Sequence, residues 1–370
     1  MAVALCKLSR FSRSYKYLKH YDNSNINNRS SLLCTVAQQP KSRNLLKIGI
    51  IGATIGVVAG TGYSFYKISE KRKNLALDGT YVTFPINTTG LKLTLYQYQT
   101  CPFCCKVRTF LDYYGISYDV VEVDPVLRRE ISWSSYKKVP ILLVQVKDGY
   151  QPLNDSSMII SLLSSYMQDK YQNISELVEY YPNIAMHDDK GKFKYEIMNK
   201  YFLMYNKIKM LDIEERKWRQ WTDDVLVHTL SPNVYRTLNE AYETFEWFSE
   251  VGQWKEYFPL WEKMLIINVG ACAMWLIAKR LKKRHRLKED VRQSLYDEVN
   301  KWLKEIHVNG TPFRGGHNPD LSDLAVYGVL KSIEGCSAFK DLLKNTKLSK
   351  WYNAMNERVH TYAGSTLVNG

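Results

Sequence analysis

Residues 91–125 carry the most regular pattern of apolar and polar side chains in the chain. LKLTLYQY (91–98) alternates between the two classes, which predicts a strand with one buried face. Pro102 suits the first turn of a helix, and the apolar positions after it recur at helical spacing until Gly115. SYDVVEVDP (117–125) predicts a second strand. The segment therefore predicts a strand, a helix and a strand in succession.

The pattern continues to residue 168. VLRREISWSSY (126–136) predicts a short helix, and the apolar run after Pro140 predicts a third strand. The Asp-Gly pair at 148–149 is a hairpin turn signal, so a fourth strand should follow. Asp155 or Ser156 would then serve as the N-cap of a last helix. This order, with a Cys-x-x-Cys after the first strand, is typical of a thioredoxin or glutaredoxin-like domain.

Beyond residue 191, helical periodicity dominates and hardly a convincing strand pattern occurs. DLSDLAVYGVL (320–330) begins with Asp320 as a predicted N-cap and has Asp323 in its first turn, where carboxylates suit the free N–H groups. A thioredoxin-like domain followed by an all-helical one is the architecture of glutathione transferases. We therefore predict an α+β fold with a helical glutathione-transferase-like C-terminal domain.

Two long apolar segments raise the question of membrane insertion. IGIIGATIGVVAGTGYSFY (48–66) has 19 residues without a charge, which reaches the ~17–25 residues needed to span a bilayer. Its glycines lack the G-x-G-x-x-G spacing of a nucleotide-binding loop, so a membrane anchor is the better interpretation. The second segment, 264–277, is shorter and contains Asn268. We expect it to be a buried core helix.

The net charge of +14 is concentrated near the N-terminus. Residues 1–73 hold 13 Lys and Arg against two acidic residues, which leaves a charge of only +3 for the rest of the chain. This distribution argues against a polyanion-binding protein, and we predict no nucleic acid partner. The spaced basic residues of the leader fit a mitochondrial transit peptide, with a disordered basic arm as the alternative.

These patterns divide the chain into six predicted segments. They are a basic targeting leader (1–45), a transmembrane helix (46–66), a linker (67–89), the thioredoxin/glutaredoxin-like domain (90–168), a second linker (169–190) and the helical domain (191–370).

Three of the seven cysteines lie together in TCPFCC (100–105), and the scatter of the others argues against a secreted disulfide framework. Cys101 falls at the predicted start of a helix, where free N–H groups and the helix dipole stabilise a thiolate. Cys104 is one turn further on and is the natural resolving or neighbouring thiol. Cys105 should face the packed side of the helix. No second Cys/His pair has a matching spacing, which disfavours a metal site.

Two further features suit a glutathione site. Val139-Pro140 stands where this fold places a cis proline, which leaves the backbone of Val139 to pair with an extended peptide. Asp155 and Ser156 lie at a predicted helix N-terminus and could bind the charged ends of a ligand. Simple helix capping is the alternative for both residues.

Several longer motifs carry a more specific resemblance. LTLYQYQTCPFC, SSYKKVPILL, LNDSSMIISLL, KWRQWTDDVLVHTLSPNVYRT, RLKKRHRL and DLAVYGVL resemble the membrane-associated prostaglandin E synthase 2 family. The resemblance implies an isomerase that converts prostaglandin H2, a cyclic endoperoxide, to prostaglandin E2 with a reactive thiol. It also implies that glutathione, or another thiol reductant, is a cofactor, and that haem can bind together with glutathione.

The resemblance assigns roles to ten residues. These are Cys101, Tyr98 and Cys104 as catalytic residues, Phe103 in the substrate pocket, Val139, Asp155 and Ser156 at glutathione, and His228, Arg280 and Arg284 at haem. Cys105 departs from the family pattern, which has serine at that position. Without the resemblance, His228 would be read as an ordinary core histidine, and the basic run 279–288 as a solvated helix face.

Two other functions stay open. The first is a membrane-tethered glutathione-dependent thiol–disulfide oxidoreductase, in which Cys101 attacks and Cys104 resolves. The second is a haem-binding protein without turnover. We expect a homodimer that meets the membrane through one N-terminal helix. The leader favours the mitochondrion, whereas the family is associated with the Golgi membrane.

Overall fold

A computed structural model defines the fold. It describes residues 80–82, 89–125, 128–147, 149–169, 172–187, 191, 193–205, 208–210, 213–257, 260–308 and 310–368. All of these residues belong to one compact unit. The predicted leader (1–45) and transmembrane helix (46–66) lie outside the described residues.

A five-stranded mixed sheet forms the first part of the described chain. Its strands are β1 (Thr80–Val82), β2 (Leu93–Gln97), β3 (Tyr118–Glu122), β4 (Ile141–Val146) and β5 (Gly149–Asn154). The spatial order is β1-β3-β2-β4-β5. β2 runs parallel to β3 and antiparallel to β4, and β4 and β5 form an antiparallel hairpin. Burial alternates along β2, as the sequence pattern predicts.

Two helices accompany these strands, as predicted. Helix α1 (Pro102–Tyr113) joins β2 to β3, and helix α2 (Ser156–Gln168) follows β5. Gly115, with φ 64°, takes the left-handed conformation just after α1. The predicted order is therefore confirmed from β2 to α2. The helix expected over 126–136 is reduced to one 3₁₀ turn, because Arg128 has a left-handed φ of 52° that an α-helix excludes.

Short strands occur where a linker or helix was expected. β1 extends the sheet within the predicted linker 67–89. Four more strands form two antiparallel hairpins between residues 183 and 210: β6 (Asn183–His187), β7 (Phe193–Ile197), β8 (Leu203–Tyr205) and β9 (Ile208–Met210). All five residues of β6 are exposed. A strand with no buried face has no apolar-polar alternation to reveal it, so the sequence pattern missed this hairpin.

From residue 213 onward the described chain is helical. The helices are α3 (Ile174–Glu179), which precedes the hairpins, then α4 (Ile213–Trp221), α5 (Val227–Val234), α6 (Leu238–Val251), α7 (Trp254–Tyr257), α8 (Leu260–Arg284), α9 (Val291–Val308), α10 (Leu321–Lys331), α11 (Ser337–Asn345), α12 (Leu348–His360) and α13 (Ser365–Val368). A π-helical turn, Thr222–Leu226, joins α4 to α5. The predicted cap of α10 is confirmed, since Asp320 and Asp323 form a reciprocal capping box.

Helix α10 packs closely against α1, so the helical part of the chain directly supports the helix that follows Cys101. The contact depends on Gly328. A Cβ atom at this position would lie 2.6 Å from the Cα of Lys106 and 3.0 Å from the carbonyl oxygen of Cys105. Glycine is therefore needed here for the approach of two backbones.

Helix α8 differs from its prediction. Segment 264–277 was expected to be a buried core helix, but within α8 only Ile267, Ala271, Met274 and Ala278 are buried. This face packs against α5 and α6, and the opposite face is exposed. Within the described part of the chain, α8 is also the one helix long and apolar enough to cross a membrane. The prediction was wrong because an apolar run does not reveal how many of its faces have partners.

We expect Gly328→Ala to destabilise the fold. The added methyl group would force the backbones of α10 and α1 apart, since neither neighbouring atom belongs to a flexible side chain. Overpacking of this kind costs ~1–3 kcal/mol, which exceeds the helix propensity gained by replacing glycine. Urea denaturation should show a lower free energy of unfolding, and an equal or higher value would contradict the proposed close contact.

Candidate active site

Cys101 lies at the junction between β2 and α1. It occupies the N-cap position of α1, with an extended backbone (φ −77°, ψ 124°), and Pro102 begins the helix after it. Its side chain is half-buried, whereas those of Cys104 and Cys105 are buried. Cys101 is therefore the member of the cluster that a ligand can reach.

The surroundings of Cys101 favour its thiolate. The Cys104 thiol hydrogen-bonds to the Cys101 sulfur, and this contact lowers the pKa of Cys101 to about 6 although burial opposes it. The backbone N–H groups of Cys104 and Phe103 at the start of α1 act in the same direction. Burial and the neighbouring Cys101 sulfur raise the pKa of Cys104 well above its usual range. The two thiols are thus unequal: Cys101 is ionised at neutral pH and Cys104 is not.

The cysteine pair adjoins an apolar cluster, which includes Cys104 itself. Tyr98, Cys104 and Val139 are buried in it, and Cys101 and Tyr136 pack against it while partly exposed. The Val139–Pro140 peptide bond is cis, as predicted from the sequence. The structure therefore brings together four of the residues predicted for the site.

Tyr98 is a buried phenol close enough to Cys101 for the two groups to interact electrostatically. Burial raises the pKa of Tyr98 to about 12, and the Arg128 guanidinium, which donates a hydrogen bond to the Tyr98 oxygen, offsets only part of this effect. Tyr98 is therefore protonated at neutral pH. Arg128 also donates from Nη1 to the carbonyl oxygen of Lys137 at 3.0 Å, which fixes its side chain between two segments that border the site.

The N-terminus of α2 contributes the polar side of the site. Asp155 is the N-cap, and its Oδ1 accepts hydrogen bonds from the backbone of Ser157 (2.9 Å) and Met158 (3.3 Å). The other oxygen, Oδ2, lies 3.7 Å from Nζ of Lys200. Ser156 is buried as the first residue of the helix. Asp155 therefore caps α2, as the alternative interpretation of the sequence predicts. Its second carboxylate oxygen lies near Lys200.

Tyr136 connects the two halves of the site. Its pKa is raised by burial first, and then by the charges of Asp155, Cys101 and Cys104. Tyr136 therefore packs beside the cysteine pair and lies within electrostatic range of the N-terminus of α2.

A buried ion pair joins α1 to the helical part of the chain. Lys106 Nζ lies 2.5 Å from Asp223 Oδ1 and donates to Ser157 Oγ at 2.8 Å. Ser157 in turn donates to Asp223 Oδ2 at 2.6 Å. Burial lowers the pKa of Lys106, and the Lys106 ammonium holds the pKa of Asp223 below its usual range despite burial. Phe103 borders this pair, with its ring centroid 5.8 Å from Lys106 Nζ.

Cys105 belongs to a separate network on the other side of α1. Its sulfur lies 3.0 Å from Nη2 of Arg108 and 3.4 Å from the carbonyl oxygen of Gln99. Arg108 also bonds that carbonyl at 2.7 Å. Glu122 accepts the backbone N–H of Gln99, so strand β3 supports the same loop. Cys105 therefore packs away from Cys101, as predicted, and helps to order the loop that leads to it.

The three candidate haem residues lie around helix α8. His228 is half-buried and stacks on His285 with ring centroids 4.2 Å apart. Burial lowers the pKa of His228, and Arg284 adds to this effect while Asp224 opposes it. Arg280 is exposed one turn before Arg284. His228 and Arg284 are thus neighbours, and the charge of Asp223 also acts on His228.

Sequence reasoning missed four residues that shape this site: Arg128, Tyr136, Lys106 and Asp223. Tyr136 could have been found because it stands three residues before Val139, beside the predicted cis proline. The partner of Lys106 is more than a hundred positions away in the chain, so no local signal links the two.

Comparisons with known proteins agree with this architecture. The glutaredoxin family matches residues 93–147. Prostaglandin E synthase 2 of Danio rerio is 48% identical over 277 residues, which cover 73% of this chain and 71% of that protein. The Mus musculus prostaglandin E synthase 2 is 43% identical over 320 residues, covering 84% of this chain and 81% of its own length.

Among solved structures, glutathione transferase F7 from Populus trichocarpa aligns with a TM-score of 0.40 and 12% identity, over 74% of this chain and 99% of its own. The β-etherase LigF from Sphingobium aligns with a TM-score of 0.41 and 14% identity, over 73% of this chain and 98% of its own. The two sequence relatives are far more similar, and their identity extends across both the cysteine-bearing and the helical parts. On that basis, this chain belongs to the prostaglandin E synthase 2 family.

Proposed function

We propose that this chain isomerises prostaglandin H2 to prostaglandin E2 and that Cys101 is the reactive group. The observation that carries this proposal is the position of Cys101, which is half-buried at the N-terminus of α1 and accepts a hydrogen bond from Cys104. This arrangement lowers its pKa to about 6 and favours a thiolate beside the buried phenol of Tyr98. A soft nucleophile that a ligand can reach is suited to the weak O–O bond of an endoperoxide. Family membership supports the same reaction.

The first step forms a sulfur–oxygen bond. The Cys101 thiolate attacks the peroxide oxygen on the carbon that will become the ketone, and the O–O bond breaks. The second oxygen leaves as an alkoxide and takes the proton of the Tyr98 hydroxyl. Tyr98 suits this role because its raised pKa keeps it protonated until a stronger base arrives.

The second step restores the enzyme. The Tyr98 phenolate accepts the proton on the carbon attached to the sulfur-bound oxygen. The electron pair of that C–H bond forms the carbonyl, and the S–O bond breaks to return the Cys101 thiolate. One oxygen ends as a ketone and the other as a hydroxyl, so no external oxidant or reductant is consumed.

Glutathione would bind along the same site. Val139, beside its cis peptide bond, would pair with the extended backbone of the tripeptide. Asp155 and Ser156 at the N-terminus of α2 would hold its charged end, with Lys200 next to the carboxylate of Asp155. Phe103 would line the pocket that receives the apolar chains of the substrate.

A second function is favoured by one contact. The Cys104 thiol hydrogen-bonds to the Cys101 sulfur, as expected of a resolving cysteine beside a nucleophilic one. In a glutathione-dependent thiol–disulfide oxidoreductase, Cys101 would attack a disulfide and Cys104 would release the product by attacking the mixed disulfide.

The residues near α8 fit haem in their chemistry. His228 would hold the iron, because burial favours the neutral imidazole that metals bind. Arg280 and Arg284 would bind the propionates through their guanidinium groups. Haem would supply redox-active iron at this site when bound, and His285 would orient His228 by stacking on it.

The proposal also extends to the location and assembly of the chain. One N-terminal helix (46–66) would anchor it in a membrane, with its long uncharged run as the support. The basic leader favours a mitochondrial membrane over the Golgi membrane. The functional unit would be a homodimer.

Two cysteine variants separate the isomerase from the oxidoreductase. Cys101→Ser should lower the rate of prostaglandin H2 isomerisation at least ~100-fold, because it removes the nucleophile. Cys104→Ser should keep the isomerase rate within a few-fold and lose dithiol reductase activity, since the serine hydroxyl can still donate to Cys101 but cannot resolve a mixed disulfide. Product formation from prostaglandin H2 and reduction of a small disulfide substrate would be measured in parallel.

The opposite pattern would reject the proposal. If Cys101→Ser leaves isomerisation intact, or if Cys104→Ser abolishes both activities together, the O–O cleavage described above is not the reaction of this site. Cys272→Ser serves as the matched control, because Cys272 is an exposed thiol on α8 outside the described site.

The reactivity of Cys101 should depend on pH with a midpoint near its pKa of about 6. The thiolate fraction rises as the pH passes upward through this value, so the alkylation rate of Cys101 should rise and then level off above it. Cys104→Ala should move the midpoint upward, because it removes the hydrogen bond that contributes most to the lowered pKa. Mass spectrometry of the Cys101 peptide after timed iodoacetamide treatment would measure the rate.

The matching serine variant tests the cause. Cys104→Ser keeps a donor and should leave the midpoint closer to that of the unchanged chain. An equal midpoint in the alanine variant would show that the helix N-terminus alone, and not Cys104, sets the pKa.

Haem binding should require His228. Addition of haemin to the full chain should produce a shifted Soret band, and His228→Ala should remove the shift because the iron loses its imidazole ligand. His360→Ala is a suitable control, since His360 is exposed at the end of α12. An unchanged Soret band in His228→Ala would exclude His228 as the ligand.

A further inference from the structure

One face of α8 is apolar and open to solvent. We call Trp261, Leu265, Val269, Cys272 and Leu276 the α8 stripe. Its four large hydrophobic side chains are between 54% and 59% exposed, and Cys272 is exposed as well. Large apolar side chains scattered singly over a surface are ordinary, but a row of them on one helix indicates a contact surface.

The spacing of the stripe makes it continuous. Its members follow one another at intervals of three or four residues, so they lie along one side of the helix over ~22 Å at 1.5 Å per residue. The opposite side, marked by Ile267 and Met274, is buried against α5 and α6. The stripe is therefore not part of the core that holds α8 in place.

Basic residues extend the stripe at its C-terminal end. Lys279 and Lys283 are three and seven positions beyond Leu276, on the same side of the helix, and both are exposed. Lys279 Nζ lies 3.6 Å from the centroid of the Trp275 ring, where the apolar and basic sections meet. The sequence contains no Asp or Glu between residues 263 and 288.

We infer that the α8 stripe is a docking surface for an anionic phospholipid bilayer. An apolar helix face that ends in a cluster of lysine and arginine is the arrangement of helices that lie in the membrane interface. The apolar residues would enter the acyl boundary, and the basic end would meet the negative headgroups. This contact is separate from the proposed N-terminal anchor and does not rest on the proposed reaction.

The structure favours an interfacial contact over a membrane span. Helix α8 meets the length and composition of a span, but its buried face is packed against α5 and α6. A spanning helix would have to give up that packing. A helix that lies in the interface keeps it and offers only the exposed side to lipid.

A second copy of this chain is the competing occupant. Two apolar stripes could pack together as an antiparallel pair, which would bring the basic end of one near Glu262 of the other. The basic end carries more charge than this single carboxylate of α8 offsets, so charge complementarity favours a negatively charged lipid surface.

Cys272 allows a direct test in the full-length chain. A Cys6→Ser/Cys34→Ser/Cys101→Ser variant retains Cys272 as the exposed thiol, since Cys104, Cys105 and Cys336 are buried. The thiol would be labelled with an NBD fluorophore and the chain added to vesicles of phosphatidylcholine, with or without phosphatidylserine. Because the label reports its own surroundings, attachment of the chain through another segment does not produce the signal.

We expect the emission to shift to the blue with phosphatidylserine vesicles and to be quenched by doxyl-labelled acyl chains. Leu265→Ser/Val269→Ser should remove both changes without unfolding the protein, because both side chains are exposed. Lys279→Glu/Lys283→Glu should remove the dependence on phosphatidylserine. A label at Thr361, in a Cys272→Ser/Thr361→Cys chain, is the control for an exposed site outside α8 and should not change.

Three results would overturn the inference. The first is unchanged emission with phosphatidylserine vesicles. The second is an equal shift in phosphatidylcholine alone, which would remove the role given to the basic end. The third is a shift without lipid that grows with protein concentration and accompanies cross-linking of two chains through Cys272, which would assign the stripe to a second copy.

Discussion

The buried ion pair between Lys106 and Asp223 is the interaction on which the site depends. It ties α1, which follows Cys101, to the π-helical turn of the helical part of the chain. Ser157 binds both partners and brings the N-terminus of α2 into the same network. Removing one member would leave a buried charge unpaired, which costs ~3–5 kcal/mol. The three segments that carry the candidate functional groups are therefore held in one arrangement.

The chemistry of the site follows from its two different cysteines. The sulfur at the start of α1 is ionised because a thiol and backbone N–H groups point toward it. Its neighbour one turn away stays protonated because it is buried. The same burial keeps Tyr98 protonated, so a nucleophile and a proton donor are present together at neutral pH. The start of α1 thus favours the ionised form of Cys101, whereas burial favours the protonated forms of Cys104 and Tyr98.

The thioredoxin-like order from β2 to α2 and the caps at Asp155 and Asp320 could be predicted from the sequence. These features are local: strand alternation, a proline at a helix start and carboxylates at helix N-termini act within a few residues. The position of Cys105 away from Cys101 was also predictable, because adjacent residues point in different directions around a helix.

The remainder depends on contacts that no local pattern records. Lys106 and Asp223 find each other only when the two parts of the chain pack together. The hairpins between 183 and 210 escaped prediction because β6 has no buried face. The exposure of α8 was missed because hydrophobicity measures what a helix could bury, whereas neighbouring helices determine what it does bury. The left-handed Arg128 similarly ended a helix whose periodicity looked adequate.

The close contact at Gly328 has a consequence for how this scaffold could diversify. Helix α1 is confined on one side by the backbone of α10 and is fixed to Asp223 through Lys106. A helix held this way has little room for new side chains. Segment 128–139, which supplies Arg128 and Tyr136, is a 3₁₀ turn and loop that alternates buried positions such as Ile131 with exposed ones such as Trp133. Enzymes derived from this scaffold for other peroxides should therefore differ mainly in that loop while keeping the same thiol-bearing helix.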